Sequence, residues 1–500
     1  MSFCSAWPYS ISFPRFSRHF SFDRPRLKPA FLSTFFCATT AISLCALPVC
    51  ALDSTYWVWN RKTPLNQEEA RFLTEQGVRK LYWNAATLHA DGEIWRLEAP
   101  LELPRKSSAE ILLAPVLRLS IDGGLPLGRV AADSVSRLLL EAARRVDSDE
   151  AQIDFDCPDS RLGEYADFLA NCRARLAPLR LSATALAGWS ETSEFSRLQA
   201  AVDMLMPMFY DLAPDEPPRV QADHVLPLID STTLAPQIDS WRSCRTPWFA
   251  GIPNFARITI FDQQGRSRGH PRAWEWDAIC FNPALVLRSQ SASGVTLLRA
   301  ERDTLLGSTP VSANETVACR RPDLAHLAEA LALVEKSGAS GVAIFRLPGA
   351  GAQSGWSLPQ MTTLVRTRKA GEPQLKVLRC AQGLELRNVS SSDLPPRLSG
   401  KGGERDRGWQ LEVESSGGAV FREASAGEFA AVFGHADPDA ATPRRVQIPL
   451  AQRLTYWFAE MRAGQSRQTG LLQLAPGSNP ASFRWRIPGS PRHSDWQSLE

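Results

Sequence analysis

The chain is 500 residues long, with 44% apolar and 22% charged residues. That length suffices for two or three domains with buried cores, and the composition excludes wholesale disorder. The first 51 residues hold five of the 56 basic residues and one of the 53 acidic ones, which leaves 51 basic and 52 acidic residues in the remainder. A near-neutral remainder gives no electrostatic support for a nucleic-acid partner.

Residues 1–51 have the pattern of a secretory signal peptide with an extended basic segment. Basic residues up to Lys28 precede an apolar run from Ala30 to Ala46, and small residues follow at Cys50 and Ala51. Cleavage after Ala51 would export the remainder to the periplasm or the cell exterior. An uncleaved anchor and a lipoprotein signal that uses Cys50 are the alternatives. Beyond this segment no run of about 20 apolar residues predicts a membrane span.

Short apolar strands alternate with helical segments between residues 55 and 346. Their spacing predicts parallel βα units, and eight such units close a (β/α)8 TIM-type barrel. An open doubly wound sheet is the alternative, but the Gly-rich phosphate turn typical of that fold is missing after the first strand. The eight predicted strands are Thr55–Asn60, Val78–Asn84, Glu110–Arg118, Gln152–Asp159, Leu179–Trp189, Val202–Asp211, Trp248–Pro253 and Gly341–Arg346.

The pattern changes after about residue 350. Short alternating runs separated by Gly, Ser and Asn predict a smaller C-terminal antiparallel β domain, sandwich-like in form. We therefore expect a barrel at residues 52–350, a linker at 351–370, a β-rich domain at 371–490 and a polar tail at 491–500.

Six cysteines follow the signal segment, and an even number in an exported chain permits disulfides. Cys280 and Cys319 are the first candidates for a pair. The spacings of cysteine and histidine do not match a zinc site, and no cofactor motif occurs, so we predict neither a metal nor a cofactor.

The carboxyl ends of the strands form the active face in barrels of this type. The residues predicted there combine acidic, amide and aromatic side chains. Indole rings stack on sugar rings, and carboxylates and amides bind hydroxyls, so this mixture indicates a carbohydrate site. For each tryptophan, filling the barrel is the alternative role. The candidates for substrate binding are Tyr210, Trp59, Asn60, Trp83, Asn84, Arg118, Trp189 and Arg346, and the candidate catalytic carboxylates are Asp154, Asp156, Asp159 and Asp211.

Asp154 and Asp156 lie two residues apart on the fourth strand, and side chains of a strand alternate between its faces. The two carboxylates therefore share a face, which cannot be an ordinary dry core. Asp156 and Asp211 are the predicted pair of acid and nucleophile or base. For Asp154, a structural ion pair with Arg118 or Arg346 is the favoured alternative.

Ile153-Asp154-Phe155-Asp156 and Met208-Phe209-Tyr210-Asp211 resemble the D-x-D-x-E and M-x-Y-D motifs of chitinase-type glycoside hydrolases of family eighteen. The arrangement is more closely similar to an uncharacterised family of secreted bacterial barrel proteins, a domain-of-unknown-function class. The resemblance covers roughly residues 56–348. It implies that Tyr210 and Asp211 position the substrate and its reacting centre.

The chain departs from the chitinase pattern at Pro158, which occupies the position of the catalytic glutamate. Proline cannot donate a proton, so the chitinase mechanism does not transfer whole. Asp159 is adjacent and is a candidate substitute, although capping the following helix is its favoured role.

Two functions follow from these observations. The first is an exported glycoside hydrolase-like barrel that binds and hydrolyses a glycan. The second is a non-catalytic carbohydrate-binding or cell-envelope protein that has lost the catalytic glutamate.

Overall fold

The computed structural model describes residues 52–499, except 60, 62, 105–110, 121–123, 350–354, 399–406, 416–418, 437–443 and 477–482. Residues 1–51, where the signal peptide is predicted, lie outside this description. Within the described residues, no helix is long and apolar enough to cross a membrane.

The first part of the chain alternates strands with helices, as the sequence predicts. In chain order these elements are β1 (Asp53–Val58), α1 (Gln67–Glu75), β2 (Lys80–Asp91), β3 (Ile94–Leu97), β4 (Leu112–Leu119), α2 (Arg129–Val146), β5 (Glu150–Asp154), α3 (Leu162–Leu176), β6 (Arg180–Leu186), α4 (Phe195–Ala201), β7 (Met204–Met208), α5 (Pro217–Gln221), α6 (Ser231–Ser240) and β8 (Phe249–Pro253).

An antiparallel insertion follows β8, where the sequence shows a long polar segment. It comprises β9 (Arg257–Phe261), β10 (Ser267–Gly269), α7 (Trp276–Cys280), β11 (Leu285–Gln290), β12 (Val295–Ala300), β13 (Thr304–Leu306), β14 (Thr309–Val311) and β15 (Thr316–Arg320). Five of these strands form a sheet in the order β10-β9-β15-β12-β11. The insertion has its own apolar core, so it is a folded subdomain.

The chain then returns to the barrel through α8 (Leu324–Glu335), β16 (Gly341–Phe345) and α9 (Leu358–Thr367). Eight parallel strands run in the order β1-β16-β8-β7-β6-β5-β4-β2, and β1 also pairs with β2, which closes the barrel. The predicted (β/α)8 fold is confirmed, and each predicted strand overlaps one of these eight.

The predicted linker at 351–370 contains α9. Its residues Met361, Leu364 and Val365 belong to the apolar core around the barrel. Ser357 caps the helix by accepting a hydrogen bond from Gln360 N. Residues 358–367 therefore form the last helix of the barrel, and the Gly/Ala-rich sequence that precedes them is what resembled a linker.

The C-terminal region is antiparallel β structure, as predicted. Its strands are β17 (Leu375–Arg379), β18 (Leu384–Asn388), β19 (Trp409–Ser415), β20 (Phe421–Ala424), β21 (Ala431–Ala436), β22 (Arg444–Val446), β23 (Arg453–Phe458), β24 (Ser466–Gln468), β25 (Leu472–Leu474), β26 (Phe483–Arg486) and β27 (Gln497–Ser498). They form sheets of six, three and two strands around one apolar core. The predicted polar tail includes β27, which pairs with β26.

The predicted disulfide is wrong. Cys280 and Cys319 are both buried in the core of the insertion as free thiols. The other four cysteines of the described residues are also free. Burial among apolar side chains accounts for Cys157, Cys172, Cys280 and Cys319 as small core residues.

The inside of the barrel is partly polar. Trp57, Tyr82 and Met206 fill its centre. Room for the Trp57 ring comes from Gly251 on β8, where an added Cβ would lie 3.2 Å from the indole. The Trp57 indole nitrogen donates a hydrogen bond of 2.7 Å to Gln152 Oε1 on β5. The strand β5 thus presents polar side chains to the barrel interior.

Candidate functional site

Alternation along β5 places Glu150, Gln152 and Asp154 on one face, and Asp156 follows just beyond the strand. Glu150 lies deepest and is held by the Tyr82 hydroxyl and by Lys80 Nζ, each at 2.7 Å. Asp154 and Asp156 reach the barrel mouth, where both line a cavity. The two carboxylates therefore share one face, as the strand pattern predicts.

The central cavity encloses about 230 Å³ at the mouth of the barrel. Ligand pockets for drug-sized molecules enclose roughly 300–1,000 Å³, so this space suits a single small ring. Polar groups on β4 and β5 face aromatic rings across it. Its lining consists of Trp57, Trp59, Arg118, Asp154, Asp156, Thr184, Met208, Tyr210, Phe255, Arg257 and Phe345.

Asp154 is tied to neighbouring strands. The Thr184 hydroxyl donates a hydrogen bond of 2.8 Å to Asp154 Oδ1, and Arg118 Nε lies 3.9 Å from Oδ2. The predicted ion pair with Arg118 is therefore present. Burial raises the pKa of Asp154, while the Arg118 charge and the Thr184 hydroxyl oppose that rise. These two partners favour the ionised form.

Asp156 has a different environment. Burial, together with the charges of Asp154 and Asp211, raises its pKa to about 6 despite the opposing charge of Arg118. Its carboxyl group has no hydrogen-bond partner among the side chains and backbone groups that the structure describes. Asp156 is thus the carboxyl of the cavity best placed to hold a proton near neutral pH.

Tyr210 closes the cavity on the side of β7. Its ring stacks on Phe345, with centroids 5.8 Å apart and planes inclined by 17°, and meets Phe255 edge-on. Burial raises the pKa of Tyr210 well above its ordinary value, and the charges of Asp154 and Asp156 act in the same direction. The hydroxyl is therefore neutral and able to donate a hydrogen bond into the cavity.

Asp211 lies outside the lining of the central cavity. Both its oxygens bind Arg257, at 2.8 and 2.6 Å, and its φ of 57° is a left-handed conformation that Asp tolerates. Arg257 itself lines the cavity, so Asp211 holds this guanidinium in place from behind. Asp211 is therefore ion-paired, although its charge still acts on Asp156, and the pairing of Asp156 with Asp211 as acid and nucleophile or base stays a prediction.

Several predicted candidates lie away from the central cavity. Trp83 is in the middle of β2, beside Val58 on the outer face of the barrel. Trp189 is fully buried in a turn outside the barrel and packs against Tyr165 at 5.9 Å. Both tryptophans belong to the core outside the barrel, so neither has the alternative role considered for them, which was to fill the barrel.

The remaining candidates occupy varied positions. Asn84 pairs with Val116 on an interior face, and its side-chain oxygen is buried without a partner within the described part of the chain. Asp159 is exposed on a turn and does not line the cavity, and the following helix begins at Leu162 without a side-chain cap. Arg346 lines a second, adjacent pocket. Asn60 is outside the described residues.

Sequence reasoning missed the wall contributed by Thr184, Met208, Phe255, Arg257 and Phe345. Phe255 and Arg257 follow β8 directly, at the strand end where site residues are expected. This position just after a barrel strand was the one feature of the sequence that could have identified Phe255 and Arg257 as site residues. The ion pair that joins Arg257 to Asp211 spans 46 residues, which no local pattern reveals.

Among the His, Cys, Asp and Glu residues that the structure describes, no group of three or more is arranged to hold a metal ion.

Comparison with known proteins gives one family match. The family model described as "Domain of unknown function (DUF3142)" matches residues 114–266. This segment runs from β4 to the turn after β9 and contains Asp154, Asp156, Tyr210 and Arg257. The resemblance to a domain-of-unknown-function class is confirmed, and the barrel is the architecture that the chitinase-type motifs imply. No curated protein matches the chain.

Solved structures with a similar fold include a family GH18 chitinase from Chromobacterium violaceum. It is 11% identical with a TM-score of 0.37, and the alignment covers 90% of this chain and 91% of that chain. A family 18 N-acetylglucosaminidase from Paenibacillus barengoltzii is 12% identical with a TM-score of 0.38, covering 59% of this chain and 95% of that chain.

Proposed function

We propose that this protein is a glycoside hydrolase-like barrel that binds a glycan and hydrolyses a glycosidic bond. The proposal rests on one observation: two carboxyl groups face the same aromatic-walled cavity from different environments. Asp154 is tied to Thr184 and Arg118, whereas Asp156 has a pKa of about 6 and makes no hydrogen bond to the residues that the structure describes. Environments that separate two carboxyl groups in this way are characteristic of glycosidase acid and base pairs.

In this proposal Asp156 is the general acid that protonates the leaving oxygen. Asp154 is the ionised partner that stabilises the developing positive charge or directs water.

The surrounding side chains would bind the sugar. The Trp59 and Phe255 rings offer apolar faces to a sugar ring, and the Tyr210 hydroxyl offers a donor. The Arg257 guanidinium lines the cavity, and its two hydrogen bonds to Asp211 fix its position there. In these roles Asp211 positions Arg257 and does not act on the substrate itself.

The test is hydrolysis of a panel of chromogenic glycosides by the wild type and by Asp156→Asn, Asp154→Asn and Asp167→Asn. General acid catalysis contributes roughly 10²–10⁴-fold, so we expect kcat to fall at least about 100-fold in the first two variants. Asp167 lies on the exposed face of α3, and its variant should retain wild-type kcat. Hydrolysis that survives both substitutions in the cavity would contradict the assignment.

A second function is favoured by Pro158, which replaces the glutamate of the chitinase-type pattern. In that case the cavity binds a glycan without cleaving it. Glycan binding by the wild type with no release of the chromogenic group would support this alternative.

We also propose that the protein is exported. The basic and apolar pattern of residues 1–51 supports this proposal. Mass spectrometry of the processed protein should give an N-terminus at Leu52, and retention of residues 1–51 in the membrane fraction would favour the uncleaved anchor.

A further inference from the structure

A second pocket adjoins the central cavity, between the barrel mouth and the start of the inserted sheet. We call it the rim pocket. It encloses about 180 Å³. Phe255, Arg257 and Phe345 line both spaces and form their common wall, whereas His270, Trp274 and Arg346 line only the rim pocket. A ligand with two linked rings could therefore place one ring in each space.

The rim pocket has an unbalanced positive charge. Arg257 is neutralised by its two hydrogen bonds to Asp211. Arg346 follows β16, is partly buried, and has no carboxylate partner among the residues that the structure describes. Burial lowers the pKa of Arg346 from its ordinary value, and no acidic group offsets that effect. A guanidinium held partly out of water, with no carboxylate partner in the described part of the chain, can bind an anion.

The other side chains of the rim pocket suit a sugar ring. His270 Nδ1 lies 2.9 Å from the Ile258 carbonyl oxygen, which can only accept, so Nδ1 carries the proton. Burial also lowers the pKa of His270, which leaves the imidazole neutral with Nε2 as an acceptor. An acceptor beside the rings of Phe255 and Trp274 matches the hydroxyls and apolar face of a sugar.

The two spaces differ in charge. Asp154 and Asp156 face the central cavity, whereas Arg346 faces the rim pocket. The Arg346 guanidinium would attract a ligand with one anionic ring. In the central cavity the Arg118 charge is already paired with Asp154, so that cavity offers such a ring no comparable attraction. Such a difference selects one orientation of the ligand.

We propose that the rim pocket binds the anionic substituent of an acidic sugar, so that the glycan of this protein contains uronic acid units. The planar guanidinium of Arg346 binds the carboxylate through two parallel hydrogen bonds, and the neighbouring neutral unit occupies the central cavity. This inference rests on the proposed function, since it names the class of glycan that the same site accepts. Sulfate esters share this chemistry and are separated from carboxylates by the test.

The experiment measures binding to the full chain by isothermal titration calorimetry. The probes are tetrasaccharides in which galacturonate or glucuronate alternates with a neutral sugar, each beside its carboxyl-reduced neutral counterpart. A sulfated galactan tetrasaccharide and its desulfated form are the second arm. The variants are Arg346→Met, which removes the charge with little change in volume, Arg346→Lys, and Arg137→Met on the exposed face of α2 as a control.

A charge-assisted hydrogen bond is worth enough to change affinity about 10-fold or more. We expect the wild type to bind at least one uronate tetrasaccharide about 10-fold or more tightly than its reduced counterpart. Arg346→Met should lose this preference yet retain the affinity for the neutral form, which also shows that it folds. Arg346→Lys should keep part of the preference, and Arg137→Met all of it.

Equal affinity of the wild type for the acidic and neutral forms would overturn the inference and leave the proposed function intact. A preference confined to the sulfated probe would also overturn the assignment to uronic acid. Failure to bind every probe, neutral forms included, would contradict the proposed function itself.

Discussion

The Thr184 hydroxyl bridges two adjacent strands at the barrel mouth. It donates to Asp154 Oδ1 at 2.8 Å and accepts from the backbone nitrogen of Phe155 at 3.2 Å. One side chain of β6 thus fixes both the direction of a carboxylate on β5 and the backbone that leads to Asp156. The positions of the two carboxyl groups depend on this hydroxyl.

Replacement of Thr184 by Val should raise the pKa of Asp154, because a donor to the ionised carboxylate is lost. If Asp154 acts in its ionised form, the acidic limb of the pH profile of kcat shifts to higher pH. The unfolding free energy should also fall by about 1–2 kcal/mol, since Phe155 N loses its partner. Thr184→Ser keeps the hydroxyl and should retain the wild-type profile. An unchanged profile in Thr184→Val would exclude Asp154 as the ionised group.

Asp156 should make folding dependent on pH. Its pKa rises from 3.8 to about 6, so between these values the folded state binds more protons than the unfolded chain. Linkage then requires the unfolding free energy to fall as pH rises through this window and to stay lower above pH 6. Each pKa unit corresponds to about 1.4 kcal/mol, and partial exposure reduces the total to about 1–2 kcal/mol.

Asp156→Asn removes this titration, so the variant should be about 1–2 kcal/mol more stable than the wild type at pH 7.5 and equally stable near pH 4. Urea unfolding at the two pH values measures the difference. Asp167→Asn, on the exposed face of α3, should stay within about 0.5 kcal/mol of the wild type at both. A destabilised Asp156→Asn at pH 7.5 would mean that the carboxylate has a stabilising partner.

Glu150 closes the inner end of the polar face of β5. It is 1% exposed and accepts from Tyr82 and Lys80. Glu150→Gln replaces one acceptor oxygen by a donor and removes the counter-charge of Lys80, so it should lower the unfolding free energy by about 2–4 kcal/mol. Asp149→Asn removes an exposed partner of the same lysine and should lower the unfolding free energy by less than about 1 kcal/mol. Equal effects of the two substitutions in thermal unfolding would contradict the buried role of Glu150.

Cys280 and Cys319 should remain unmodified in the folded protein. Burial raises the pKa of Cys319 to about 12 and that of Cys280 well above its ordinary value, so neither forms thiolate at pH 8. Iodoacetamide should alkylate both residues in denaturant without a reducing agent, as peptide masses would show. If the two cysteines resist alkylation in denaturant until a reducing agent is added, they form a disulfide.

The barrel was predictable because most of its strands are short apolar runs followed by a helix, which is a local pattern. The shared face of Asp154 and Asp156 was predictable for the same reason, since alternation along one strand determines it. Trp83 was misplaced because β2 continues to Asp91, beyond the predicted strand end, and contains an irregularity after Asn84. No pattern in the sequence indicates either the extension of β2 to Asp91 or the irregularity after Asn84.

The wall of the site was not predictable from local patterns. Asp211 resembles a free catalytic carboxylate in sequence, and its neutralisation by Arg257 depends on the docking of the inserted sheet against the barrel. The resemblance to the chitinase-type motifs identified the correct strand ends. The resemblance could not assign catalytic roles to the residues at these strand ends, because Pro158 occupies the position of the catalytic glutamate on which those roles depend.

Helix α7 joins the insertion to the C-terminal strands. The Asp277 carboxylate accepts from Ala459 N at 2.7 Å and from Arg467 Nη1 at 2.9 Å, and Leu398 and Ala459 complete the apolar core of the insertion. The barrel and the C-terminal strands are consequently not interchangeable modules. A chain truncated at residue 370 would retain every barrel strand but expose the apolar core of the subdomain that begins at Arg257. Dissection or domain shuffling at that point would therefore disturb the candidate site, because Arg257 lines its cavity.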